Sequence, residues 1–137
     1  MANSLDMRIA EEGPRNAVVK LTGILDSSDA SAVPAVALQD FTNNDVHNTL
    51  VGLRANSVEW SISNDLGVNL HWHATIPQQM YALAGQGRIH SDQYGGWHPD
   101  QSLAGYDGSV ELSTTGFIPG TTQNFTITIH FIKLYEA

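Results

Sequence analysis

The sequence predicts an all-β fold: a single-domain jelly-roll-like β-sandwich of about eight strands, residues 16–137, preceded by an extended N-terminal arm, residues 1–15. Three observations carry this expectation. Apolar and polar residues alternate with period two along most of the chain, the pattern of strands with one buried and one solvated face. Turn-forming residues interrupt that alternation every roughly eight to twelve residues, the spacing of sandwiches and barrels. A long crossover follows the first strand, which favours Greek-key or jelly-roll connections. At 137 residues the chain can bury one core and is short for two.

Each element follows in order. The arm contains Glu11-Glu12-Gly13-Pro14 and no sustained period, so it is expected outside the core, extended apart from a possible helical turn, and held in place by a partner. Ala17 to Gly23 alternates with Val19 and Leu21 inward and forms the first strand. From Ile24 to Asn48 runs the crossover, whose apolar middle, Ala35-Val-Ala-Leu38, suits an edge strand or one helical turn. Thr49 to Arg54 is a short strand with Val51 and Leu53 inward. Val58 to Trp72 reads as a β-hairpin turning at Asn64-Asp-Leu-Gly67, with Trp60, Ile62, Val68, Leu70 and Trp72 on the buried face and Glu59, Ser61, Asn69, His71 and His73 opposite.

Met80 to Ala84 and Gly87 to His90 give two short strands broken at Gly85-Gln86, the former with Tyr81 and Leu83 inward. Ser91 to Asp107 exceeds the about twelve to fifteen residues beyond which a loop in a compact domain is usually functional or disordered, and its Tyr94-Gly-Gly-Trp-His-Pro99 favours order. Ser109 to Thr114 points Val110 and Leu112 inward. Phe125 to Phe131 is the cleanest alternation in the chain and is predicted to be a central strand.

Composition excludes several function classes. Net charge is −8, and the six Lys and Arg residues are scattered, so no basic stripe neutralises phosphates and nucleic acid is not an expected partner. No apolar run reaches membrane-spanning length, and Asp6 stands where a signal peptide carries basic charge, so neither a membrane nor the secretory route is expected. Without cysteine there is no disulfide framework, Cys-based zinc site or thiol nucleophile, which suits assembly in a reducing cytoplasm. Charged residues make up 15% of the chain against a usual value of about 25%, a composition compatible with a surface partly covered by neighbours.

The chemical candidates are few. His71 and His73, two apart on a strand, present both imidazoles to one face and are the weak metal candidates, as in cupin-type jelly-roll enzymes. The acidic ligand such a motif wants shortly beyond the second His is missing from Thr75-Ile-Pro-Gln-Gln79. His130, outward with Thr126 and Thr128, joins the pair only if the strands are neighbours. Gly85-Gln-Gly-Arg-Ile-His90 opens like a dinucleotide fingerprint, but His90 replaces its third glycine and no helix follows, so no cofactor is expected. There is no Gly-x-Ser-x-Gly elbow, and the protein is expected not to be an enzyme. Tyr94, Trp97 and Tyr106 suit protein docking or a plug more than the alternative of stacking on a sugar, the role they would have in a carbohydrate-binding module.

Three segments carry a family resemblance: Arg15-Asn-Ala-Val-Val-Lys-Leu-Thr-Gly-Ile-Leu-Asp-Ser-Ser-Asp29, Tyr81-Ala-Leu-Ala-Gly-Gln-Gly-Arg-Ile-His90 with Tyr94-Gly-Gly, and Gly105-Tyr-Asp-Gly-Ser-Val-Glu-Leu-Ser-Thr-Thr-Gly116. With the Trp60 to Trp72 run they cover most of the chain and resemble head decoration, or cement, proteins of tailed bacteriophages. The resemblance implies a jelly-roll-like structural protein without an active site, assembled in the host cytoplasm. It would bind the outer surface of the capsid, with the major capsid protein as partner and self-association into a dimer or trimer. It further implies contacts from the arm and the long loops, with Arg8, Ile9, Arg15, Tyr94, Trp97, His98 and Tyr106 as the partner-binding candidates.

Overall fold

The computed structural model describes residues 3–13, 15–37, 40–41, 49–63, 65–90 and 104–136, and within them nine strands. These are β1 (Ser4–Glu12), β2 (Asn16–Leu25), β3 (Val33–Val36), β4 (Thr49–Ile62), β5 (Gly67–Trp72), β6 (Gln78–Ala84), β7 (Gln86–His90), β8 (Val110–Thr115) and β9 (Gln123–Glu136). They build a five-stranded sheet in the order β1-β2-β9-β4-β7 and a four-stranded sheet in the order β3-β8-β5-β6, every pairing antiparallel.

The pairing is nested. β2 pairs with β9, β3 with β8, β4 with β7 and β5 with β6, so the chain from β2 onward is one long antiparallel ribbon rolled on itself. The β9–β4 and β8–β5 ladders close the roll within each sheet. That is the jelly roll the turn spacing predicts, with β1 added at one edge.

Inward residues of the two sheets meet as the core. Val19 and Leu21 of β2, Phe125, Ile127, Ile129 and Phe131 of β9, and Val68, Leu70 and Trp72 of β5 are all buried, as is Leu112 of β8. Trp72 and Phe131 touch across the sandwich with ring centroids 6.4 Å apart and planes tilted by 57°. Each such side chain contributes roughly 1.5–3 kcal/mol by leaving water. As its alternation predicts, β9 is the central strand of its sheet.

β4 is one strand where the sequence suggests two. Its inward residues run Leu53 and Ala55, then Val58 and Ile62, and the change of parity falls at the register shift between Ala55 and Ser57. An extra residue thus moves the apolar set back onto the core face.

The predicted hairpin from Val58 to Trp72 requires correction. Both edges of β4 are occupied, by β9 and β7, and both edges of β5 by β8 and β6, so the turn after Ile62 carries the chain from one sheet to the other. Alternation reports which face of a strand is buried. In a sandwich both sheets bury a face, so a hairpin and a crossing leave the same pattern.

The N-terminal arm is pinned, but by its own chain. β1 pairs with β2 from Ser4 opposite Ile24 to Glu12 opposite Ala17, and half-buried Leu5, Met7 and Ile9 pack against the core. At its start the Asn3 side chain accepts the N–H groups of Asp26 and Ser27 and donates to the Ser28 carbonyl. At its end Glu12 meets Lys133 of β9. In two places a ring fills the space over a glycine on the paired strand, Phe125 over Gly23 and Trp60 over Gly87, where an added Cβ would lie 2.1 and 2.7 Å from the ring.

Candidate functional site

The rolled topology sorts the connections between two ends of the sandwich. Leu25, Ile62, Ala84 and Thr115 close strands at one end; Val36, Trp72 and Val110, with Thr49 opposite Glu136, mark the other. The long crossover from Ile24 to Asn48 is therefore two connections at opposite ends, divided by β3. The second of them shares its end with the β5–β6 and β7–β8 connections.

At that second end the described segments interlock. His73 N–H donates to the Ser109 carbonyl and Thr75 N–H to the Ala104 carbonyl, at 2.9 and 2.8 Å. Between them and the β6 strand, Ile76 is 80% exposed, the most exposed large apolar residue among those described. Tyr106 is half-buried here with its hydroxyl enclosed. Tyr94, Trp97 and His98 lie outside the described residues.

Of the remaining predicted contact residues, Arg8 is exposed on β1, Arg15 is exposed beside the β1–β2 turn, and Ile9 is half-buried with its side chain on the core. Arg15 also accepts the Lys133 N–H through its carbonyl, at 2.7 Å.

His71 and His73 stand on the outer side of β5, as their parity predicts, but His71 is buried, with only 7% of its surface exposed. The register shift between Leu70 and His71 and the neighbouring β8 strand account for this. Glu111 of β8, directly opposite His71, places its Oε1 3.7 Å from His71 Nδ1 and 3.2 Å from His73 Nδ1; Asp107 Oδ2 lies 4.0 Å from His73 Nε2. An acidic neighbour therefore exists, supplied across the ladder by β8, where reasoning along one strand misses it.

Among the described residues no three His, Asp or Glu side chains are placed to hold an ion. His71 Nε2 is instead 3.2 Å from Ser113 Oγ, and that oxygen accepts the N–H of Ala32 at 2.8 Å. The network ties β5, β8 and the segment before β3 together. His130 is on the outer side of the other sheet, its Nε2 3.0 Å from Asn16 Oδ1, so the structure separates it from the pair.

The second feature is an open groove of about 470 Å³ along β4, β7 and β9. Glu59, Ser61, Gln86, Arg88, Thr126 and Thr128 line it with hydrogen-bonding groups, and Arg88 pairs with Glu59 at 2.7 Å. Trp60 also borders it, but its indole N–H already donates to the Ala84 carbonyl at 2.8 Å. Sequence reasoning did not single out this groove because its residues come from three strands distant in the chain.

No family model and no curated protein matches this chain. A solved structure described as "CBM4 structure and function" aligns with 96% of this chain and 93% of its own at 7% identity and a TM-score of 0.30. At that level of similarity it identifies no common site. The two-sheet jelly roll rests on the pairing of this chain's own strands.

Proposed function

We propose that this protein is a non-enzymatic virion structural protein that binds the outer surface of a phage capsid and stabilises contacts between major capsid proteins. The observation that carries the reading is that β3, β5 and β7 all end, and β4, β6 and β8 all begin, toward the same end of the jelly roll, where Ile76 is 80% exposed. Rigid scaffolds that present loops are the usual way such binding is built. Low charge density, an acidic balance and the motifs that resemble cement proteins support the same reading.

A capsid repeats every contact, so modest binding per copy is multiplied by effective concentration. The test is co-sedimentation with heads of the parent phage that lack this protein. Saturable binding that Ile76→Ser or Trp97→Ala weakens, with the melting temperature unchanged, is the expected result. Absence of saturable binding to heads overturns the reading.

The polar groove on the five-stranded sheet favours a second reading, a module that binds a host or surface glycan. Its side chains can exchange hydrogen bonds with sugar hydroxyls. Binding of soluble glycans lost in Glu59→Ala and Thr128→Ala, without binding to heads, would select it.

A further inference from the structure

Among the described residues the outer edge of β1 has no partner strand, and that edge is unusual for its length and its pattern. At nine residues it is the longest edge strand, against four for β3, seven for β6 and five for β7. Long edges invite pairing with another chain unless something blocks them. Here the strand contains no proline, and its irregularity falls near the far end, between Ile9 and Glu11, leaving Ser4 to Ile9 regular.

We propose that two copies of this protein pair through β1 in an antiparallel, twofold dimer centred on Met7, joining two five-stranded sheets into one of ten. The sequence of the edge is self-complementary about that residue. Met7 faces Met7 of the second copy, Asp6 faces Arg8, and Leu5 faces Ile9. The apolar residues lie on the core side, where each is half-buried in one copy and gains further cover from the other. The charged residues lie on the outer side, both exposed.

The charges on β1 and β2 point to the same occupant. Within its own sheet Arg8 stands opposite Lys20, a like charge, and Asp6 opposite Thr22. Neither Asp6 nor Arg8 has an ion pair among the described residues. Asp6 of a second copy supplies the missing anion beside Arg8, and the twofold axis does so twice.

The alternatives are selected against by the same residues. A slip of two residues in one direction sets Asp6 against Asp6, and in the other Arg8 against Arg8. A slip of one sets core-side residues against outer-side residues. Pairing of like edges closes at two copies, so this edge does not build a trimer or a fibre. The inference is independent of capsid binding and concerns the free protein.

Two experiments on the full chain test it. Because the chain contains no cysteine, Met7→Cys and Ser4→Cys each introduce a single thiol. In the proposed register the two Met7 positions are directly opposed, while the two Ser4 positions are about 20 Å apart, beyond the roughly 7 Å that a disulfide spans. Mild oxidation is therefore expected to cross-link Met7→Cys and not Ser4→Cys. Equal cross-linking of both, or of neither, overturns the register.

In sedimentation equilibrium, Arg8→Asp is expected to weaken dimerisation by about tenfold or more, and the exchange Asp6→Arg with Arg8→Asp to restore it. A chain that is monomeric at all concentrations, or an exchange variant no tighter than Arg8→Asp, overturns the proposal.

Discussion

Lys133 Nζ, at the end of the central strand β9, lies 2.7 Å from Glu12 Oε2 at the end of the edge strand β1. The lysine side chain is 0% exposed and the glutamate side chain 20%. A cation on the core side of a sandwich is tolerated only with such a partner, because the desolvation of an unpaired ammonium costs several kcal/mol. The pair makes the N-terminal strand a structural member of the sheet.

The first prediction follows from the asymmetry of that pair. Glu12→Gln removes a carboxylate charge from beside the buried ammonium and is expected to lower unfolding stability by about 3 kcal/mol. Lys133→Met removes the charge itself and is expected to be neutral or stabilising. Urea denaturation of the two variants checks the order; equal losses would mean that the pair acts only through packing.

A second prediction concerns removal of residues 1–14. Sequence alone presents them as a detachable arm. With β1 paired along its length, Leu5, Met7 and Ile9 on the core, and Glu12 on Lys133, the truncated chain is expected to lose cooperative unfolding or to melt well below the full chain. Thermal circular dichroism reads this directly, and an unchanged melting temperature would contradict it.

A third compares two glycines in the left-handed region. Gly116 has φ +88°, and an added Cβ would lie 2.1 Å from the Asp65 carbonyl oxygen; Gly120 has φ +85° with open space around it. Gly120→Ala is expected to cost about 1 kcal/mol from backbone strain alone, and Gly116→Ala about 3 kcal/mol, because the chain must also move away from the β4–β5 turn. Equal losses would show that the turn yields freely.

A fourth tests the network around His71. Ser113→Ala removes the partner of both His71 Nε2 and the Ala32 N–H, with an expected cost of about 1 kcal/mol. His71→Leu replaces a buried imidazole, whose Nδ1 has no hydrogen-bond partner among the described residues, with an apolar group of similar size and is expected to cost less. The reverse order would mean that the Nδ1 to Glu111 contact contributes more than its 3.7 Å length suggests.

The features legible in the sequence were those a single strand encodes. The run from Phe125 to Phe131 announced a central strand because both neighbours and the opposing sheet demand unbroken alternation from it. Val110, Leu112, Tyr81 and Leu83 face inward as predicted, because each of their strands buries one face against the opposing sheet. What alternation lacks is any record of partners. It could not show that the chain changes sheets after Ile62, that β8 brings Glu111 to His71, or that three separate strands line one groove. The arm was misjudged because Glu11-Glu12-Gly13-Pro14 has the composition of a loop, although Glu12 is the counter-charge of a lysine about 120 residues away in the chain.

The nesting of the strand pairs governs how this protein can be made. β9 lies between β2 and β4, so the five-stranded sheet lacks its middle until the last strand has been synthesised. On the ribosome, β1 and β2 can form only a local hairpin, and β4 waits with β7 for a neighbour that has yet to emerge. Folding is then a late event dominated by pairings between distant segments, which makes it slow relative to helical chains of this size. A chain that stops before β9 leaves β2 and β4 without the strand that joins them, and chaperones meet exposed strand edges that persist until β9 has emerged.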